Sequence, residues 1–550
     1  VKFFDQSTRL INALTCGVLL WICGALLFAS EPFVHSTLSG DDAGYYFGVA
    51  RSSCLGLGWT FDGIHATNGF NPLFTSLLTA LYTVFLPECG LESAYRLGLA
   101  ISGLTIIASV ALLHLVLMHT LQSSTLKAEE KGLWVAAAVF FYTTFVCLKR
   151  LYGLDAPFVL CLGLAYALEI LRHGAFQARK RDIVVQGLLL GLLILARFDS
   201  LSLVAAFLAT QCVLAFPDKK QLLGIVQRGM IAGATLLPWT IWSTKAFGTW
   251  MPVSAKLKTS FPHPDVARSI HTFMTTSVST PDMLIFAFSG LAALIACVFA
   301  GIAVLKGQRA ALTQRHIDVL LLLFSVYLVG RFAFMFLFSQ LDVQGGYVIL
   351  AHVYVLFVLA WGLDKLHERG LSKVSLVGAL GLLVLASFVS VVKWQVSAKR
   401  IDRMNDAQFT DQITFARALG ATVGEDAVLF GGKFGIMGYF AERPWVNKDG
   451  VIHNYAYQEA IRDGELDAYL ERAGVNWIVM FHDPPVPTTG TISLEVPSHL
   501  YDTTAILTVN AKDIVETTRL GERNAAQAIV LARYDPTREA STPTAPPKSE

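Results

Sequence analysis

The chain has 550 residues, of which 54% are hydrophobic and 15% charged, and its mean hydropathy is +0.53. An average soluble domain carries roughly 25% charged residues, so a soluble cytosolic enzyme and a disordered scaffold are excluded as leading readings. A formal net charge of +2 offers no field to gather a nucleic acid, and a polytopic membrane protein remains.

The first apolar run, Leu10 to Ala29, follows Lys2 and Arg9 and is long enough to cross a bilayer. Its small-residue end, Phe28-Ala29-Ser30, also fits a signal peptide. That is the lesser reading, because further spans follow. They lie near Ala94–Met118, Leu133–Leu148, Phe158–Leu171, Ile183–Leu195, Leu201–Phe216, Leu222–Trp242, Met283–Leu305, Ile317–Phe338, Tyr347–Leu363 and Val374–Val392.

Basic residues cluster in Arg172–Arg181, Lys219–Lys220, Lys306–Arg315 and Lys365–Lys373. The positive-inside rule assigns these loops, and the N-terminus with Lys2 and Arg9, to the cytoplasm. The chain beyond Lys393 then lies outside, and the two ends require an odd number of crossings. Pro72–Phe85 is apolar but short, and counting it as a span breaks that parity. It reads as an interfacial or re-entrant helix, leaving about eleven spans and a first external loop over residues 30–92. Cys54 and Cys89 both fall in that loop; a disulfide and two unpaired thiols are about equally expected there. No CxxC or His/Cys spacing suggests zinc.

Residues 1–393 thus form a membrane domain. From Trp394 the composition becomes that of a globular protein, and 394–535 read as mixed α/β. Asp406–Val423 has helical periodicity, and Val428-Leu429-Phe430, Trp477–Phe481, Ala505–Val509 and Ala528–Ala532 are strand-like. Gly431, Gly432 and Gly435 read as plain turns in preference to a ligand-binding turn. Residues 536–550, rich in Pro, Ser and Thr, read as a disordered tail.

Polar motifs recur at the expected external ends of the spans: Asp41-Asp42-Ala43-Gly44-Tyr45-Tyr46, Gly58–Gly63, Thr67–Pro72, Arg150–Pro157, Ala196-Arg197-Phe198-Asp199 and Met251–Lys258. Gly330-Arg331 and Gln344 to His352 follow, with Arg331 and His352 inside spans. Ionisable groups there mark function by default. Capping a helix is the plainer reading of Asp41 and Asp42, a mutual ion pair that of Arg197 and Asp199, and snorkelling that of Lys256 and Lys258. Carboxylates, cations and a large membrane domain together suit a lipid-phosphate substrate. The tail requires a groove, the phosphate requires Arg or Lys, and a carboxylate deprotonates an incoming hydroxyl.

The run Asp41 to Tyr46, with Phe61-Asp62-Gly63 and Thr67-Asn68-Gly69-Phe70-Asn71-Pro72-Leu73, resembles the first external loop of bacterial GT-C glycosyltransferases. These multi-pass enzymes take a sugar from a polyprenyl-phosphate donor. Gly153-Leu154-Asp155-Ala156, Ala196–Asp199, Pro252–Lys258 and Gly432–Pro444 continue the resemblance in order. Phe198 stands where relatives usually have Pro, and Asp155 where they have Glu. The layout is shared with mycobacterial arabinofuranosyltransferases and with the protein mannosyltransferase and aminoarabinose transferase group. The later first-loop motif differs from the former, so arabinose is not assigned.

The resemblance implies a mainly α, GT-C type membrane protein with a C-terminal mixed α/β periplasmic domain, in the bacterial inner membrane. It implies inverting transfer to a cell-envelope glycan, lipid or protein acceptor. Asp41 or Asp42 is the expected base. Lys258, then Lys256, Arg331, Arg197 and His352, are expected at the donor phosphate. Tyr45, Tyr46, Asn68, Asn71, Asp155 and Tyr347 are expected to shape the sugar and acceptor pocket. No cofactor is required, and a divalent cation (Mg2+ or Mn2+) at Asp41 and Asp42 is the lesser alternative. An oligosaccharyltransferase or ligase, and a transporter or flippase, are the competing readings. Repeat symmetry expected of a transporter is not evident.

Overall fold

The computed structural model describes residues 2–535 except 32, 35–37, 123, 125, 149–151, 177–178, 275–279, 314, 340–348, 369–377, 379, 382, 393–405, 433–434, 483–485, 499, 502 and 520–527. Tyr347 and the tail 536–550 therefore lie outside the described residues.

Every expected span falls on a helix. These are α1 (Lys2–Phe28), α4 (Leu91–Thr120), α5 (Ala128–Phe145), α6 (Ala156–His173), α7 (Lys180–Ala196), α8 (Ser200–Ala215), α9 (Lys219–Phe247), α12 (Thr280–Leu305), α14 (His316–Phe338), α15 (Ile349–Glu368) and α16 (Leu383–Val392). Six of them, α1, α4, α6, α12, α14 and α15, are long and apolar enough to cross a membrane. Helices that are apolar all round have no face to give to water, so they pack on one another and expose the remainder to lipid. Thus α9 packs on α7, α4 on α6, α1 on α5, α12 on α14, and α14 on α8.

Two helices lie between α1 and α4. The first, α2 (Asp42–Cys54), is largely buried. The second, α3 (Pro72–Phe85), starts with proline at its first position, where no hydrogen bond is lost. Its 14 residues reach about 21 Å, short of the roughly 30 Å hydrocarbon core. Cys54 and Cys89 are bonded, their Cα atoms 6.1 Å apart, which decides the alternative the sequence left open. Short helices α10 (Val253–Leu257), α11 (Val266–Met274) and α13 (Arg309–Thr313) fill connections.

The C-terminal region begins with α17 (Asp406–Val423) and is α/β. Its five-stranded sheet has the order β2 (Trp445–Asn447), β1 (Leu429–Gly431), β3 (Trp477–His482), β7 (Ala528–Arg533), β6 (Ile514–Arg519). β1 runs parallel to β2 and β3, while β7 is antiparallel to β3 and β6. Helices α19 (Tyr455–Asp463) and α20 (Leu466–Arg472) and the hairpin of β4 (Thr491–Ser498) and β5 (Thr503–Asn510) share a second core with one face of the sheet.

The sheet's other face belongs to the core of the helical bundle: one apolar cluster runs from Ile22 on α1 to Trp445, Val479 and Leu531. The bridge is α18 (Gly435–Phe440), laid across α2. Gly435 therefore opens a helix instead of forming a plain turn. The reason is space: a Cβ on Gly44 would strike the Gly435 backbone, and a Cβ on Gly435 would strike the Asp41 carbonyl.

Candidate active site

Asp41 and Asp42, adjacent in sequence, have different surroundings. Asp41 precedes α2, but its side chain does not cap that helix. It turns to α18 instead, where Oδ2 accepts from Gly435 N at 3.0 Å and Oδ1 from Ile436 N at 3.1 Å. Burial pushes its carboxyl up to about 7; the two amides oppose the rise, and the neighbouring charges of Asp42 and Asp449 add to it. Asp42, the first residue of α2, is half-buried and has no hydrogen bond or ion pair among the described residues. Its charge acts on Tyr45 and Tyr46.

Those tyrosines lead in two directions. The Tyr45 hydroxyl accepts from Asn447 Nδ2 at 2.8 Å, tying α2 to the end of β2. The Tyr46 hydroxyl accepts from Asn71 Nδ2 at 3.1 Å. Asn71, just before α3, also donates to Asp155, and its Oδ1 accepts from Phe198 N at 3.3 Å. Asp155 lies 3.8 Å from Arg197 Nε. Arg197 donates to Asp199 Oδ2 at 3.1 Å, and Arg331 on α14 donates to the same oxygen at 2.8 Å.

This network forms one wall of a cavity of about 460 Å³. Arg197, Lys258 and Arg331 are the cations on its lining, Asp199 the carboxylate, and Phe198, Trp250, Phe334 and Met335 supply apolar wall. Lys258 follows α10, and its charge reaches Asp155. An apolar cavity carrying three cations suits an anion with a hydrocarbon tail.

The structure thus brings together Asn71, Arg197, Lys258 and Arg331, with Asp155 behind Asn71 and Asp42 beyond Tyr46. Five expected residues are elsewhere: Asp41 and Tyr45 face the C-terminal region, and Lys256, His352 and Asn68 lie apart. Lys256 donates to the Phe261 carbonyl at 3.2 Å and is not on the lining. His352 is buried on α15, its ring centroid 5.3 Å from that of Phe145. Asn68 is fully buried; it donates to Ser243 Oγ and the Met251 carbonyl and accepts from Val253 N, stitching the first loop to the chain before α10. Asp199 has the larger part: the sequence offered it as the partner of Arg197 alone, and it holds Arg331 as well.

Two groups have metal-ligand proximity among the described residues: Asp62, His65 and His453, and Glu169, His173 and Asp182. In the first, Asp62 Oδ1 accepts from Thr60, Ile64 N and His65 N, and Oδ2 is 2.8 Å from His65 Nδ1. His453 Nε2 accepts from Asn447 N, which leaves the proton on Nδ1, facing Asp62. A metal at Nδ1 would require an imidazolate; the residues instead pack as a junction between the first loop and the C-terminal region, the His65 and His453 ring centroids 5.7 Å apart and Thr67 Oγ1 donating to the His453 carbonyl at 2.6 Å. Burial holds His453 down to about 4. The contacts with His65 and His453 outweigh burial at Asp62 and hold it at about 2.

The overall fold was compared with solved structures. ArnT from Cupriavidus metallidurans bound to undecaprenyl phosphate superimposes with a TM-score of 0.53 at 10% identity, covering 97% of this chain and 99% of that one. The archaeal oligosaccharyltransferase AglB from Archaeoglobus fulgidus, in complex with an inhibitory peptide and a dolichol-phosphate, gives 0.49 at 12% identity over 85% of this chain and 69% of that one. No protein-family model and no curated protein matches the chain. The first likeness shows a shared fold, mainly α with apolar helices long enough to span a membrane and a C-terminal α/β region.

Proposed function

We propose that this protein is an inverting glycosyltransferase that moves a sugar from a polyprenyl-phosphate donor to an acceptor hydroxyl. The observation that carries the reading is the convergence of Arg197, Lys258 and Arg331 on an apolar-walled cavity, linked through Asn71 and Tyr46 to Asp42, which has no partner among the described residues. The donor phosphate lies among the three cations, and the prenyl chain runs along Phe198, Trp250 and Phe334.

The acceptor oxygen attacks the anomeric carbon while Asp42 takes its proton. The bond from that carbon to the phosphate oxygen breaks, and polyprenyl phosphate leaves with the electron pair. Fixed cations in a water-poor cavity stabilise that charge as it forms. Asp199 keeps Arg197 and Arg331 from repelling each other. The residues present do this without a metal; Mg2+ or Mn2+ at the Asp41–Asp42 turn is the lesser alternative. The acceptor is a cell-envelope glycan, lipid or protein. The protein belongs to the bacterial inner membrane, with the C-terminal region and this site on the periplasmic side. The undecaprenyl phosphate bound by ArnT supports the choice of lipid carrier.

The test offers purified protein a panel of radiolabelled polyprenyl-phosphate sugars. One donor is expected to label acceptor, and Asp42→Asn to lower its rate by about 10² or more with the unfolding midpoint unchanged. Full transfer by Asp42→Asn refutes the base assignment. Uptake of labelled lipid into vesicles without transfer from any donor favours the transport reading.

A further inference from the structure

Helices α7, α8, α9 and α14 have a second shared cavity, at the ends opposite the candidate active site. It measures about 840 Å³ and lies where α8 ends, α9 begins and α14 begins. Arg179, Lys220, Arg309 and His316 line it, and the carboxylate on its lining is Asp218. Asp218 Oδ1 accepts from Lys220 N and Gln221 N, capping α9. Besides His316, three cations on the lining face one lining carboxylate already engaged by two amides.

Several backbone carbonyls around the rim are engaged by side chains. The Leu171 carbonyl accepts from His316 Nδ1 at 2.9 Å, that of Gly174 from Gln186 at 3.2 Å, and that of Ala175 from buried Arg228. The Phe216 carbonyl accepts from Arg309 at 2.7 Å, and the same guanidinium stands 5.5 Å over the Phe216 ring. The side chains on the lining bring donors and positive charge to the cavity. The first turns of α7 and α14 carry Asp182 and Asp318, so the positive charge of this site comes from Arg179, Lys220 and Arg309 and not from helix ends.

The surroundings say what kind of anion fits. Val213, Phe216, Leu223 and Val226, at the same ends of α8 and α9, are exposed and apolar. A ligand with a phosphate in the cavity would have hydrocarbon surface beside it. We propose that this cavity binds the phosphate of an anionic phospholipid headgroup, its acyl chains lying along the exposed apolar ends of α8 and α9. Basic pockets between membrane helices recognise lipid headgroups by this charge pattern. The site is independent of the donor site, and its occupant would join the α13–α14 corner to the α8–α9 corner.

Full-length protein in neutral detergent is titrated with phosphatidylglycerol, with phosphatidylcholine of the same chains, and with inorganic phosphate. Thermal unfolding and adducts in native mass spectrometry are followed. Phosphatidylglycerol is expected to raise the unfolding midpoint and stay bound where phosphatidylcholine does not. Lys220→Gln and Arg179→Gln should each weaken it about fivefold, and Arg309→Gln more, because Arg309 is held in place. Lys306→Gln, a basic residue of the same connection outside the lining, should leave binding as in the wild type. Equal effects of the two lipids, or full binding by Lys220→Gln and Arg179→Gln, overturn the proposal. So does a loss in Lys306→Gln equal to theirs, since that would be general surface charge. Stabilisation by inorganic phosphate as strong as by the lipid overturns the lipid assignment in favour of a free anion.

Discussion

Two neighbouring aspartates separate into two tasks. Asp41 fastens α2 to α18 through two backbone amides, while Asp42 has no partner among the described residues. The Asp41 carboxyl rises from an ordinary 3.8 to about 7, which fixes the sign of a pH effect. A carboxyl raised in the folded state stabilises it most below the unfolded value, and that contribution is lost as pH climbs through the folded one. The gap in unfolding midpoint between wild type and Asp41→Asn should therefore be wider in the wild type's favour at pH 5 than at pH 8. A gap that does not move between the two would count against the assignment. Residue identity was also where the sequence was least decisive. Lys256 and Lys258 look equivalent on paper, yet residues two apart on a helix point about 200° apart, and only Lys258 reaches the cavity. His352 carried an ionisable signal, but which way it faces depends on the packing of α15 beside Phe145.

Among elements, the long helices were legible because apolar runs and basic loops are written directly in composition. Four strands, β1, β3, β5 and β7, were legible as short runs rich in β-branched and apolar residues, whereas β2, β4 and β6 were not. β2 is three residues long, and its existence depends on pairing with β1, far too local a signal for periodicity to register. β4 alternates but contains Pro497. The most consequential element, α18, was hidden among glycines whose purpose is proximity. Gly435→Ala should cost about 1–3 kcal/mol by overpacking and lower transfer, because the clash falls on the Asp41 carbonyl. Gly233→Ala on α9, where a Cβ meets open space, should be neutral or slightly stabilising. Unfolding midpoints and transfer rates of the two variants check this; equal behaviour would remove the packing explanation.

At the scale of the whole molecule, the change of composition near Trp394 marks a domain boundary in the sequence. The apolar core does not respect that change: it continues from the bundle through α18 into the sheet. Thr67 donating to the His453 carbonyl at 2.6 Å and the Asp62–His65–His453 junction tighten the same seam. No local pattern announces a contact between residues 386 apart, so this part of the architecture was illegible in sequence. Scanning calorimetry of the purified protein should show one main transition. Two transitions separated by tens of degrees would mean that the seam contributes little.

The grip of α18 on Asp41 also has a meaning in time. The aspartate pair leaves the ribosome early, whereas its anchor at Gly435 and Ile436 follows 394 and 395 residues later. Throughout synthesis and insertion, the start of α2 is without the contact that sets its register. A nascent or prematurely terminated chain would carry the carboxylates and the cations yet hold them out of alignment. The start of α2 therefore takes its final register only once residues 435 and 436 have been made.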